Sequence, residues 1–192
     1  MHAEFFLANL KLEEGSNNYQ SRQNMMFFIF MGVSGCGKTT IGEKTAEILG
    51  VPYYEGDSFH PKDNVEKMSQ GIPLNDEDRS EWLTTLADLI SHKLEEGESG
   101  VLSCSALKEK YREQLRVDPD LVHFIYLKGS YDLIRYRMEK RTGHYMPPGL
   151  LRSQFETLEE PENVCTIQID QPPEEIVQET LDFIRRMGFG RG

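Results

Sequence analysis

The chain has 192 residues, of which 38% are hydrophobic and 28% charged, and its formal net charge is −11 at pH 7. This size and composition predict one globular domain with a substantial core, and the acidic balance argues against nucleic acid as a partner. No apolar run reaches the about 18 residues of a transmembrane helix, so we expect no membrane partner. The three cysteines, Cys36, Cys104 and Cys165, have neither disulfide-framework nor metal-ligand spacing, which indicates reduced thiols and a cytoplasmic location.

The first 24 residues show no sustained hydrophobic periodicity. They contain Glu4, Glu13 and Glu14 and lack the basic and apolar segments of a targeting sequence. We therefore expect residues 1–24 to be a flexible N-terminal extension and residues 25–192 to form the folded domain.

From residue 27 onward, apolar runs of strand length alternate with helical patterns. The predicted strands are Phe27–Gly32, Pro52–Glu55, Gly100–Cys104, His123–Leu127 and Cys165–Ile169. The predicted helices are Lys38–Leu49, Asp76–Glu95, Leu107–Arg116, Tyr131–Arg141 and Pro173–Met187. The alternation predicts an α/β fold of three layers, in which a five-stranded parallel sheet carries helices on both faces. Such sheets bind ligands at the carboxyl ends of their strands, so the residues after each strand are site candidates.

The segment Gly32–Thr39 reads G-x-x-x-x-G-K-T, the P-loop pattern, and lies between the first predicted strand and the first predicted helix. Its glycines allow successive backbone N–H groups to face an anion, and the helix start adds partial positive charge. Lys38 is predicted to reach the β- and γ-phosphates of a nucleotide, and the Thr39 hydroxyl is predicted to ligate Mg²⁺. The predicted nucleotide-binding residues are Gly32, Val33, Ser34, Gly35, Cys36, Gly37, Lys38, Thr39 and Thr40. The pattern therefore predicts a P-loop NTPase fold.

Asp57 follows the second predicted strand, at the same edge of the sheet as the P-loop. It can serve as a general base that deprotonates a substrate hydroxyl, or as a ligand of Mg²⁺. A helix cap or turn residue is the alternative that gives Asp57 no chemical role. His60 lies in the same loop and is a candidate for substrate contact.

Arg79 stands in the first turn of the second predicted helix, where the helix dipole disfavours a cation. A ligand carboxylate would explain its position, and an intrahelical or surface ion pair is the alternative. Ser105 and Lys108 open the next helix, and Lys108 shares a helix face with Arg112. Two interpretations of this segment stay open: it binds substrate, or it is a solvated basic face.

The densest basic patch lies in the predicted helix Tyr131–Arg141, where Arg137 and Arg141 are four residues apart. His144 and the turn-rich segment Met146–Gly149 follow it. This combination predicts a small helical lid over residues 137–157, whose arginines close over phosphates and exclude water. A solvated helix face is the alternative.

Taken in order along the chain, these blocks resemble the gluconokinase family. The resemblance is carried by Gly32–Thr39, Gly56–Pro61, Pro73–Asp76, Asp78–Arg79, Cys104–Lys108, Tyr126–Gly129, Gly143–His144 and Ser153–Pro161. It extends from Phe28 to the last predicted helix, and the agreement of many blocks makes it more specific than a P-loop alone.

The resemblance implies an enzyme of the P-loop kinase group that is related in fold to shikimate and adenylate kinases. It implies that ATP, with Mg²⁺, phosphorylates D-gluconate at its 6-hydroxyl to give 6-phospho-D-gluconate, which feeds the pentose phosphate pathway. It also implies a homodimer.

The family pattern assigns roles to residues of this chain. Catalytic roles fall to Lys38, Asp57, Arg137 and Arg141, with Asp57 as the base and, together with Thr39, as a metal ligand. Arg79 is implied to bind the gluconate carboxylate. The other implied substrate contacts are His60, Ser105, Lys108, Arg112 and His144. Gln171 and Pro172 are implied to border the adenine base.

Two alternative functions stay open. A sister kinase would phosphorylate another small hydroxy acid such as shikimate, because the acceptor loops and not the P-loop select the acid. A nucleotide-binding switch without turnover is the other alternative, although no asparagine is followed by lysine, as the guanine motif N-K-x-D requires.

Overall fold

The computed structural model of the protein describes residues 25–140 and 148–190. The strands are β1 (Phe27–Met31), β2 (Tyr53–Glu55), β3 (Gly100–Ser103), β4 (Val122–Lys128) and β5 (Cys165–Gln168). The α-helices are α1 (Lys38–Leu49), α2 (Lys62–Ser69), α3 (Asp76–Glu95), α4 (Glu109–Leu115), α5 (Tyr131–Lys140), α6 (Pro148–Thr157) and α7 (Pro173–Arg186). A short 3-10 helix, Gly56–Phe59, follows β2.

The five strands form one parallel sheet in the order β2-β3-β1-β4-β5. β1 lies at the centre, where Ile29 is in register with Leu102 of β3 on one side and Phe124 of β4 on the other. Every residue of β1 is fully buried, which explains why this strand is an unbroken apolar run. The predicted parallel sheet is confirmed.

Alternate residues of β1 pack against helices on opposite faces of the sheet. Phe28 and Phe30 pack with buried residues of α1 and α7 on one face. Phe27, Ile29 and Met31 pack with buried residues of α3 and α4 on the other face. Because both faces are covered, the chain has the three layers that the alternation of strands and helices predicts.

All of the predicted strands and helices are present, with small shifts at several ends. α1 and α3 have the predicted bounds. α4 begins later than predicted, at Glu109, because Lys108 still has an extended backbone. α5 is described to Lys140, and its predicted last residue, Arg141, lies outside the described residues.

Two helical segments depart from the sequence prediction. α2 was not predicted, because it buries only Asn64 and therefore has no apolar stripe. Asn64 instead ties α2 to α3 through a hydrogen bond from Nδ2 to the Asp78 carbonyl at 2.6 Å. α6 begins at Pro148, inside the segment predicted to be rich in turns, since proline is tolerated in the first turn of a helix.

The predicted extension 1–24 lies outside the described residues, so the domain boundary at residue 25 stays a prediction. Within the two described ranges, no helix is both long enough and apolar enough to cross a membrane.

The packing of α3 on the sheet can be tested with a matched pair of isoleucines. Ile90 is fully buried and Ile48 on α1 is 58% exposed. Ile90→Ala should lower the free energy of unfolding by about 2–5 kcal/mol, because the truncation leaves a cavity. Ile48→Ala should change it by about 0.5 kcal/mol, as is usual for surface sites. Urea denaturation measures both values, and equal losses would contradict the described burial.

Candidate active site

The P-loop joins the buried end of β1 to the start of α1. Gly37 precedes α1, and no described side chain caps the first amides of that helix, so these N–H groups are available to an anion. Gly35 has a φ of +82°, and a Cβ at this position would clash with Met138 of α5. Lys38 Nζ donates to loop carbonyl oxygens, among them that of Gly32 at 3.1 Å. The loop therefore forms an anion cradle with an ammonium group held over it.

Several predicted P-loop positions can serve a nucleotide only through their backbone. The side chains of Val33 and Cys36 are buried in the core. Burial raises the pKa of the Cys36 thiol, which makes it a packing residue rather than a nucleophile. Thr40 differs from these two residues, because its side chain is exposed in the first turn of α1.

Glu55 is a site residue that sequence reasoning missed. The Thr39 hydroxyl donates to Oε2 of Glu55 at 2.7 Å, and the Tyr53 hydroxyl donates to the same oxygen at 2.8 Å. The available signal was an acidic residue at the end of β2, two positions before Asp57. Thr39 is bonded to Glu55 and lines one cleft with Asp57. Hydroxyl and carboxylate oxygens are ligands of the kind that Mg²⁺ prefers, so these three residues fit the predicted metal.

One cleft, with a volume of about 460 Å³, brings the predicted donor and acceptor residues together. From the P-loop side it is lined by Ser34, Gly35, Lys38 and Thr39. From the acceptor side it is lined by Asp57, His60, Arg79 and Ser105. Met68 of α2, Leu74 and Trp82 add apolar surface, and α6 contributes Ser153 and Gln154.

His60 is held firmly in the acceptor half of this cleft. Its ring stacks on Trp82 with centroids 4.1 Å apart, and Trp82 Nε1 donates to the Gly56 carbonyl at 2.8 Å. His60 Nε2 lies 3.9 Å from Oδ1 of Asp57, while the buried Nδ1 has no hydrogen-bond partner within the described residues. Burial lowers the pKa of His60; the charge of Asp57 opposes this shift and that of Arg79 adds to it.

Arg79 lines the cleft without pairing to any acid of the described ranges. Its Nη1 donates to the carbonyl oxygens of Leu74 and Asn75, which precede α3. The acids beside it in sequence are engaged elsewhere, because Asp76 binds three other side chains and Asp78 closes a capping box with Asn75. This arrangement favours a ligand carboxylate over an ion pair as the reason why Arg79 stands in the first turn of α3.

Lys108 and Arg112 were expected to contact substrate, and the structure does not bring either side chain into the cleft. Lys108 Nζ instead pairs with Asp76 at 2.7 Å. Arg112 is 1% exposed, and its guanidinium binds the Glu109 carboxylate and two backbone carbonyls, including that of Ala106 at 2.9 Å. Both cations thus have partners of their own, and Arg112 holds the turn after Ser105 through the Ala106 and Leu107 carbonyls.

Arg137 also lies outside the lining of the acceptor cleft. Its Nη2 donates to the carbonyl of Ile169, directly before the segment predicted to border adenine. Within that segment, Gln171 Nε2 donates to the Gln168 carbonyl at 3.0 Å, and Pro172 precedes α7 as its exposed N-terminal cap residue. Arg137 therefore contacts the loop after β5, and its predicted catalytic role stays a prediction. Arg141 and His144 lie outside the described residues.

Comparison with known proteins shows which family this chain belongs to. The family model for shikimate kinase matches residues 34–185. The thermosensitive gluconokinase of Escherichia coli (strain K12) is 51% identical over 135 residues, which cover 70% of this chain and 72% of that protein. The thermoresistant gluconokinase of the same strain is 40% identical over 163 residues, which cover 83% and 93%.

Solved structures agree with these relatives. A gluconokinase from Sinorhizobium meliloti 1021 is 43% identical, with a TM-score of 0.79 over 85% of this chain and 94% of that chain. A shikimate kinase from Aquifex aeolicus is 15% identical, with a TM-score of 0.59 over 83% of this chain and 96% of that chain, and shares the fold. Given this family match and relatives at 40–51% identity, the chain belongs to the gluconokinase family of shikimate kinase-like P-loop kinases.

Proposed function

We propose that the protein transfers the γ-phosphoryl group of ATP to the 6-hydroxyl of D-gluconate and forms 6-phospho-D-gluconate. The observation that carries this proposal is the single cleft in which Lys38 and Thr39 of the P-loop meet Asp57, His60 and Arg79. Phosphoryl transfer needs the attacking and leaving oxygens in line, so one enclosure has to hold both substrates. The relatives at 40–51% identity are named for gluconate as the acceptor.

The donor half holds the nucleotide through the P-loop. Backbone N–H groups and the Lys38 ammonium bind the phosphates, and Arg137 supports the nucleotide from α5. Thr39, Glu55 and Asp57 would hold Mg²⁺, which would supply positive charge to offset that of the phosphates.

The acceptor half recognises a small polyol acid. The Arg79 guanidinium offers a planar fork of donors to a carboxylate and has no carboxylate partner within the described residues. The His60 ring and the Ser105 hydroxyl line the same half and can bond acceptor hydroxyl groups.

Asp57 acts as the base. Its side chain is 69% exposed at the cleft, so it can reach the hydroxyl of a bound acceptor. As that oxygen forms a bond to the γ-phosphorus, the bond from phosphorus to the β,γ-bridging oxygen breaks and ADP leaves. Asp57 accepts the hydroxyl proton, which balances the reaction.

Four further features belong to this proposal; three follow from sequence patterns, and the homodimer follows from the family resemblance. They are a lid over residues 137–157 with Arg141 and His144, a homodimer, a cytoplasmic location and a flexible segment 1–24. The free thiols of Cys36, Cys104 and Cys165 accord with the cytoplasmic location.

The acceptor can be identified by measuring ADP release with D-gluconate, D-glucitol and shikimate. We expect turnover with gluconate and little with glucitol, because glucitol lacks the carboxylate that Arg79 binds. Turnover with shikimate but not with gluconate would contradict the proposal. Nucleotide binding without phosphorylation of any acid would favour a nucleotide-binding switch.

The role of Asp57 can be tested with Asp57→Asn. We expect kcat to fall by about a hundredfold or more, since a general base contributes roughly 10²–10⁴-fold, while ATP binding persists. Asp63→Asn is the matched control, because Asp63 is exposed on α2 and lies outside the cleft. A near-normal kcat for Asp57→Asn would show that Asp57 is not the base.

The buried, neutral state of His60 predicts a pH dependence of stability. The pKa of His60 is lowered in the folded protein, so the unfolded chain binds more protons once the pH falls below about 6.5. The free energy of unfolding should therefore decrease from pH 7.5 to pH 5.5, and His60→Gln should remove part of this decrease. Burial also lowers the pKa of His123, so His123→Gln should remove a separate part. Urea unfolding at both pH values measures these slopes, and an unchanged slope for His60→Gln would contradict the prediction.

A further inference from the structure

Gln154 of α6 joins the predicted lid to the P-loop across 120 positions of sequence. The backbone N–H of Ser34 donates to Oε1 of Gln154 at 2.6 Å. Gln154 Nε2 donates to Oγ of Ser34 at 3.1 Å. Two bonds between the same two residues fix both the position and the rotation of the carboxamide.

The rest of α6 is anchored in a way that presents Gln154 to the P-loop. Leu151 is 1% exposed in the core, and the Phe155 ring packs edge-on against Tyr131 of α5 at 5.4 Å between centroids. These two residues are four positions apart and share one face of the helix. The helix is therefore seated against the core and α5, and Gln154 forms its hydrogen-bonded contact with the donor loop.

The orientation of the carboxamide follows from the chemistry of its partner. A backbone N–H can only donate, so the oxygen of Gln154 must face Ser34 N and the nitrogen must face Ser34 Oγ. One N–H of Gln154 is left over after these two bonds.

Gln154 shares one cleft with both halves of the site. It lines the same cleft as Lys38 on the donor side and Asp57 on the acceptor side. The phosphoryl group that passes between these halves carries negative charge on its oxygens, so a neutral N–H donor there is favourable and a carboxylate is not.

We propose that Gln154 is a positioning residue for phosphoryl transfer, which ties α6 to the donor loop through Ser34 and holds an amide donor at the junction of the two half-sites. This inference rests on the proposed function, because it assumes that an acceptor and a nucleotide share the cleft. It assigns α6 a specific part in the reaction, beyond excluding water.

Two substitutions separate positioning from a purely structural role. Gln154→Glu keeps acceptors for Ser34 N–H and for the Ser34 hydroxyl, which can rotate to donate, but it removes the amide donor and adds negative charge. Gln154→Met keeps the length of the side chain and removes both bonds. The tie to Ser34 thus survives only in the Glu variant, and the cleft stays uncharged at this position only in the Met variant.

We expect activity and stability to rank these variants in opposite orders. The melting temperature of Gln154→Glu should stay near that of the parent, and that of Gln154→Met should be lower. With gluconate and ATP saturating, kcat should fall about tenfold in Gln154→Met, which loses one donor to the transition state. It should fall about a hundredfold in Gln154→Glu, which loses the same donor and adds a negative charge. KM values for both substrates are measured alongside, to separate binding from the chemical step.

Gln114 on α4 is the matched control. It is exposed, lies outside the cleft and bonds only the Thr84 hydroxyl among the described residues, at 3.1 Å. Gln114→Glu and Gln114→Met should both leave kcat unchanged.

The outcomes distinguish this inference from the proposed function. If the parent enzyme does not phosphorylate gluconate, the proposed function fails, and the variants are compared with the acid that the acceptor panel identifies. If no acid is phosphorylated, both proposals fail. If the parent is active and Gln154→Glu keeps near-parent kcat while Gln154→Met loses activity and stability together, Gln154 is a structural tie and the inference is overturned.

Discussion

The complete burial of β1 at the centre of the sheet determines where this protein can act. β1 is held between β3 and β4, and all of its residues are fully buried. The P-loop that follows must therefore emerge at the middle of the carboxyl edge, between the loops that carry Asp57 and Ser105 on one side and α5 on the other. The position of the anion cradle is thus a consequence of core packing, and the chemistry is supplied by the neighbouring loops.

The distribution of charge explains how a chain of net charge −11 can bind two anionic substrates. Several cations are neutralised by nearby acids, as Lys108 is by Asp76 and Lys128 is by Glu160. Lys38 and Arg79 line the cleft, donate to carbonyl oxygens and pair with no carboxylate among the described residues. Their charge is therefore available to a phosphate and a carboxylate, which are the two anions of the proposed reaction.

The sheet, the P-loop and most of the helices were predictable because long apolar runs and one specific motif carry them. α2 was missed because it is polar on nearly every side, and its place is set by the hydrogen bond from Asn64 to α3. Lys108 was predicted to share a helix face with Arg112, but Lys108 precedes α4 with an extended backbone. The nearest acids decide where both side chains go. The bonds of Glu55 to Thr39 and of Gln154 to Ser34 join residues distant in sequence, and such pairings cannot be derived from a local pattern.

The claim on which the rest depends is that a single cleft transfers phosphoryl from the P-loop side to an acceptor hydroxyl beside Asp57. The most direct measurement is a phosphorus and carbon NMR spectrum of the products formed from ATP and uniformly ¹³C-labelled gluconate. The proposed function predicts one phosphate monoester, coupled to carbon 6, together with ADP. Inorganic phosphate as the sole product, or an ester on another carbon, would contradict it.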